Sequence, residues 1–177
     1  MSQTIQDFYK VAQERDFARD FMLRVRAIGD NRFDEKDFVY IKTAILPSRS
    51  IANQQVPYMG LNFNVPGTAN YEGSDAWAVK FHADRDGLIR ERLEAWQKEI
   101  FDDATSTGNL AVKGIDKVIQ LDLVDDKLNV LNTYKLFGVY IVKMGDISYD
   151  IQGNGKTLEY DATLAYHFWR HTKTASA

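Results

Sequence analysis

From Leu158 to Phe168 every second residue is apolar: Leu158, Tyr160, Ala162, Leu164, Tyr166 and Phe168, with Glu159, Asp161, Thr163 and His167 between them. A period of two is that of a half-buried strand, whereas a helix repeats every 3.6 residues. The alternation also decides how the preceding stretch is read. Gly155-Lys156-Thr157 matches the last three letters of a phosphate-binding loop. Such a loop needs a first glycine five positions earlier and a helix directly after it, whose amides meet the phosphates. Position 150 is Asp150, which would aim a carboxylate at phosphate, and a strand follows in place of the helix. Gly153-Asn154-Gly155 tolerates positive φ and reads as a tight bend between two strands. No nucleotide site is expected.

Strand patterns recur along the chain. Phe21, Leu23, Val25 and Ala27 alternate with Met22, Arg24 and Arg26, and Gly29-Asp30-Asn31 forms the turn after them. Phe38–Leu46, Trp77–Ala83, Ile115–Val124 and Tyr134–Val142 are further strands, with Asp125-Asp126-Lys127 as a turn. The run from Tyr134 is apolar on both parities, so both of its faces are expected to be covered. One stretch changes period: after Asp84 or Asp86 as N-cap, Ile89, Leu93, Trp96 and Ile100 mark a helical stripe ending near Asp102-Asp103. Ala104–Gly114 reads as a polar loop. Ile5, Phe8, Tyr9 and Ala12 give residues 4–14 the pattern of a short amphipathic helix. The expectation is a mainly β, α+β domain spanning 1–177, a β-sandwich or small barrel with one well-defined helix at 84–103. It carries an N-terminal helical arm at 1–19 and a polar tail at 171–177.

All three prolines, Pro47, Pro57 and Pro66, fall in one segment with Gly60 and Gly67. Proline lacks a ladder donor, so 47–70 reads as an irregular loop or protruding edge hairpin, with Leu61–Val65 as one arm. Its content of Ile51, Val56, Tyr58, Met59, Leu61 and Phe63 is too apolar for disorder. Long excursions from compact domains usually carry function, and this one is expected to bind; a loop folded back on its own core is the alternative.

Chemistry finds little support. The three histidines, His82, His167 and His171, lack the spacing of a helical zinc motif, and no nucleophile motif appears. Asp102-Asp103 and Asp125-Asp126 sit in helix-end and turn contexts, where aspartate bonds its own backbone. No catalytic residue, metal site or cofactor is expected. The absence of cysteine excludes disulfides and fits a reducing compartment. No apolar run is long enough to span a membrane, and no signal pattern opens the chain. A net charge of −3 lacks the basic surplus of a tight nucleic-acid binder.

Several stretches, taken in order, resemble the tail tube proteins of T-even-type contractile phages. These are Asp16-Phe17-Ala18-Arg19, Thr43-Ala44-Ile45-Leu46-Pro47, and the arm with Pro57, Gly60 and Gly67. Trp77, Val79, Asp84, Arg90 and Trp96 follow, and the closing strand Tyr160–Trp169 completes the series. The resemblance spans nearly the whole chain and is weakest between Asp102 and Asn132 and in the tail from His171. It implies a subunit of six-membered rings that stack into a hollow tube inside a contractile sheath. The tube would meet baseplate and tail terminator proteins, carry DNA without tight binding, and belong to a virion tail assembled in the host cytoplasm. Related secretion-system and pyocin tubes share the architecture, which leaves a type VI or injection tube carrying effectors as the alternative. An aromatic content of 12% also admits a monomeric sugar- or lipid-binding sandwich, although most of these aromatics fall on core-parity positions.

Ring closure needs heterologous side surfaces, and this chain offers more apolar surface than a monomer requires. Pro47, Ile51, Val56, Pro57, Tyr58, Met59, Leu61 and Phe63 are the expected contacts to the adjacent ring, ordered by Ile5, Phe8 and Tyr9. A conduit should not grip phosphate, so Gln120 and Asp122, and Glu159 and Asp161, are candidates for an acidic or neutral lumen. Solvated outer faces are the ordinary alternative for these four. The helix is expected outside the sheet, its charged face open to the sheath.

Overall fold

A computed structural model describes residues 4–14, 17–29, 32–111 and 117–173. Asp16, Asp30-Asn31, Gly114-Ile115 and residues 174–177, all named above, lie outside the described residues. The chain opens with helix α1 (Ile5–Glu14), then β1 (Leu23–Ile28) and β2 (Ile41–Ala44). A long pair follows, β3 (Ser50–Tyr58) and β4 (Leu61–Asn70), then β5 (Trp77–His82) and helix α2 (Leu88–Ile100). Two short strands, β6 (Phe101–Asp102) and β7 (Thr107–Gly108), precede β8 (Val118–Val124), β9 (Val130–Phe137), β10 (Tyr140–Met144), β11 (Glu159–Ala165) and β12 (Phe168–Lys173).

The strands make two four-stranded antiparallel sheets, ordered β1-β8-β9-β12 and β10-β11-β5-β2, and the β3–β4 pair stands apart from both. The result is a sandwich, not a closed barrel. Inward residues of the first sheet (Val25, Ile119, Leu121, Leu136) meet those of the second (Val79, Phe81, Ile141, Tyr160, Ala162, Leu164) in one buried cluster. Alternation supplies these faces directly, since successive strand residues point to opposite sides.

Helix α2 completes the core with Ile89, Leu93 and Trp96. Its start is fixed by Asp84, whose Oδ2 accepts from the Leu88 amide at 2.6 Å, and by Gly87 at φ 71°, a left-handed conformation suited to glycine. Several of its charges are held by the body. Arg90 donates to the Gly145 carbonyl at 3.2 Å and lies over the Tyr160 ring. Arg92 pairs with Asp37 and Asp34, and Glu99 with Arg32. Glu91, Glu94 and Lys98 remain exposed.

The sequence pattern fails at two corners. The apolar run Tyr134–Val142 is two strands in different sheets, β9 and β10, and the closing run from Tyr160 divides into β11 and β12. His171–Lys173, expected in a polar tail, end β12, where His171 bonds Asn132 at 3.1 Å and packs on Tyr134. The two corners touch. Gly138 turns at φ 66°, a Cβ there would lie 2.0 Å from His167 Cδ2, and the His167 amide donates to Phe137 O at 2.9 Å. The stretch holding Gly153-Asn154-Gly155 is also no tight bend. β10 and β11 are neighbours joined by the long loop 145–158, in which Gly155 alone of the three takes positive φ.

Candidate assembly surfaces

Of the two readings of the proline segment, the structure shows the hairpin. β3 and β4 pair from Ser50↔Asn70 to Tyr58↔Leu61, and Met59-Gly60 closes the turn with positive φ at both positions, 48° and 82°. That geometry matches the right-handed twist of the strands it joins. Pro57 faces Asn62 and Pro66 faces Asn53. A two-stranded ladder gives each strand one unpaired edge, which is where a residue without an N–H is tolerated. At ~3.3 Å per residue the hairpin reaches about 30 Å.

Register sorts its side chains. Val56 opposes Phe63, Tyr58 opposes Leu61 and Gln54 opposes Val65, so Val56, Tyr58, Leu61, Phe63 and Val65 share one face. The other face carries Asn53, Gln55, Pro57, Asn62, Asn64 and Pro66. Tyr58, Leu61 and Phe63 are 63%, 64% and 51% exposed, so the apolar face meets water. Ile51 and Met59 are also exposed.

Pro47 does not belong to this surface. It is buried in the subunit, between two carbonyls clamped by indoles: Trp77 Nε1 donates to Ile45 O at 2.7 Å and Trp169 Nε1 to Ser48 O at 3.1 Å. These bonds fix the root of the hairpin to both sheets.

Helix α1 buries none of its residues; Ile5, Phe8, Tyr9 and Val11 are all exposed. It is nevertheless well started. The Asp7 amide donates to Thr4 Oγ1, while Asp7 Oδ2 accepts from the Thr4 amide and hydroxyl, a reciprocal cap. These bonds hold the Asp7 carboxyl below its ordinary value. Phe8 stacks on Phe17 at 5.9 Å.

The four lumen candidates separate. Gln120 and Asp122 lie on the outer face of the β1-β8-β9-β12 sheet, Glu159 and Asp161 on the outer face of the other. A wall one sandwich thick turns only one of these faces inward. Asp122 is moreover 2% exposed: Thr133 Oγ1 donates to it at 2.7 Å, Gln120 Nε2 at 3.1 Å, and Arg26 lies 3.5 Å away. It presents no carboxylate to solvent in the subunit. Glu159 and Asp161 are exposed, but not as a bare acidic strip. Lys42 Nζ bonds Glu159 at 2.6 Å and 2.8 Å, holding that carboxyl below its usual range, and Asp161 faces Lys80 across the ladder.

Sequence reasoning missed two surfaces. A cleft of about 830 Å³ opens between the edge strands β1 and β2, lined in part by Phe21, Leu23, Phe38, Val39, Ile41 and Val124. Its walls come from segments far apart in sequence, which no local period reveals. The second is a row of cations on the outer face of the first sheet. Among the described residues no three metal-ligating side chains converge.

No family model matches the chain. Over 169 residues it is 22% identical to tail tube protein gp19 of Enterobacteria phage T4, spanning 93% of this chain and 98% of that one. A chain in the sheath/tube terminator structure of the PVC extracellular contractile injection system superposes with a TM-score of 0.62 at 14% identity, over 89% of this chain and 98% of that one. The two chains share one fold. The tube-terminating cap of the anti-feeding prophage gives the same TM-score and identity over 91% and 97% of the two chains. The PVC sheath–tube complex gives 0.56 at 13% identity over 98% and 100%. These likenesses span between 89% and 98% of this chain.

Proposed function

We propose that this chain is the structural subunit of a contractile phage tail tube, closing into six-membered rings that stack into a conduit for DNA and a core for the sheath. The observation that carries the reading is the β3–β4 hairpin. An isolated two-stranded hairpin is marginal in water, and this one leaves its apolar face uncovered along its length. A second copy of the chain is the natural cover, with α1 adding Ile5, Phe8 and Tyr9. On this reading the protein is not an enzyme, meets baseplate and terminator proteins at the tube ends, passes DNA without gripping it, and resides in the virion tail after assembly in the host cytoplasm. Glu159 and Asp161 are the remaining candidates for the lumen wall.

The test is negative-stain imaging of purified protein. Wild type forms rings or rods. Tyr58→Ser, Leu61→Ser and Phe63→Ser together leave a folded subunit that forms neither, whereas Gln55→Ser, Asn62→Ser and Asn64→Ser on the opposite face are tolerated better. Normal rods from the first triple variant refute the assignment. An injection-system tube carrying protein cargo predicts the same rods; finding the chain in genome-filled particles separates the two.

A further inference from the structure

The outer face of the β1-β8-β9-β12 sheet is basic, although the chain as a whole carries −3. Alternation and register place Arg24 and Arg26 of β1, Lys135 of β9 and Arg170 of β12 on this face, and all four are exposed. Gln120 pairs with Lys135, and Lys135 with Arg170, while Arg26 bulges from β1 beside Gln120. The cations therefore form a row across the sheet, about 14 Å wide at ~4.8 Å per strand. One carboxylate shares the face, the covered Asp122, which stands opposite Arg24 across the ladder and lies 3.5 Å from Arg26. Among the described residues Lys135 and Arg170 make no ion pair and face no carboxylate across the ladder.

Two details set Lys135 and Arg170 apart. Lys135 and Arg170 are like charges directly opposed across a ladder, an arrangement that destabilises the isolated sheet. Arg170 is also held in place, its guanidinium 5.5 Å from the Phe168 ring centroid and 5.9 Å from that of Phe137, themselves stacked at 5.1 Å. A guanidinium laid over aromatics keeps its planar fork free for a bidentate acid.

We propose that this face docks a carboxylate-rich protein surface packed against the outside of the assembly. The chemistry follows from the subunit alone; the outward direction rests on the tube reading. Phosphate is the competing anion, but four cations per subunit lining a lumen would add affinity at every ring and slow the passage of DNA. The opposite sheet, with Glu159 and Asp161 balanced by lysines, suits a lumen better.

The experiment titrates full-length protein at low salt with fluorescent poly-L-glutamate, and separately with duplex DNA of equal charge. Lys135→Gln with Arg170→Gln is the test variant. It removes a repulsive pair together with the Arg170 contact to the Phe168 and Phe137 rings, so its melting curve is recorded beside wild type and binding is compared at a temperature where both are folded. Lys80→Gln with Lys143→Gln on the other sheet is the control. Poly-L-glutamate binding roughly tenfold weaker in the test variant, and little changed in the control, supports the proposal. No binding by wild type, or equal losses in both variants, overturns it. Assembled tubes that hold duplex DNA through Lys135 and Arg170 more tightly than poly-L-glutamate also overturn it, because the face would then line the channel. Loss of rods in every sample would instead count against the tube reading, leaving the anion measurement on dispersed subunits to stand.

Discussion

At the scale of single residues, Gly138 and Glu159 give the sharpest expectations. Gly138 takes a left-handed φ and stands where any Cβ would enter the His167 ring. Gly138→Ala should destabilise by ~2 kcal/mol or more, combining backbone strain with the displaced imidazole. Adding His167→Ala should recover part of that loss, since contacting sites couple in a double-mutant cycle. Urea unfolding of the four species checks both, and strict additivity would show that the two do not touch. Glu159 makes a pH prediction. Lys42 lowers its folded pKa below the ordinary 4.5, so the bond contributes stability above that value and loses it as pH falls through the folded pKa. Glu159→Gln should therefore flatten the acid side of the stability profile below about pH 4.5. An unchanged profile would show that the pair contributes nothing measurable.

Elements differ in how far the sequence reveals them. Helix α2 was plain because Ile89, Leu93 and Trp96 repeat at its own period and Asp84 caps it. Leu93→Ala should cost ~2–5 kcal/mol of stability through the cavity left in the buried cluster, read by thermal or urea unfolding. The strands were legible as strands but not as members of a particular sheet. Tyr134–Val142 and Tyr160–Trp169 keep their alternation through a change of sheet, and the signal for that change is Gly138 meeting His167, a contact between distant parts of the chain. The prolines left two readings, irregular loop or edge hairpin, and register decides for the hairpin: Pro57 and Pro66 sit in a two-stranded ladder with free edges. The apolar hairpin residues were readable from composition. The burial of Pro47 and of Asp122 was not, because both sit in arrangements made by distant residues: indoles of Trp77 and Trp169 bond the carbonyls on either side of Pro47, and Thr133 bonds Asp122.

For the whole molecule, stability and association draw on different residues. The buried cluster lies in the two sheets and α2, and no hairpin residue belongs to it. Replacing residues 51–69 with a short Gly-Ser link should leave cooperative unfolding with a midpoint within a few degrees of wild type, while abolishing rods. A collapse of the melting transition would show that the hairpin is part of what folds the chain. The sandwich also sorts its charge by side, with cations gathered on one outer face and mixed charge on the other. An assembly of such subunits has a distinct inside and outside before any partner arrives.

The meeting of Gly138 with His167 reaches beyond this one chain. A single imidazole occupies the only room a side chain at 138 would have, so the two positions are not free to drift independently. Among relatives that keep both crossings, any that gains a methyl group at the first site should be found to carry a slimmer neighbour at the second, and pairs breaking that bargain should be missing.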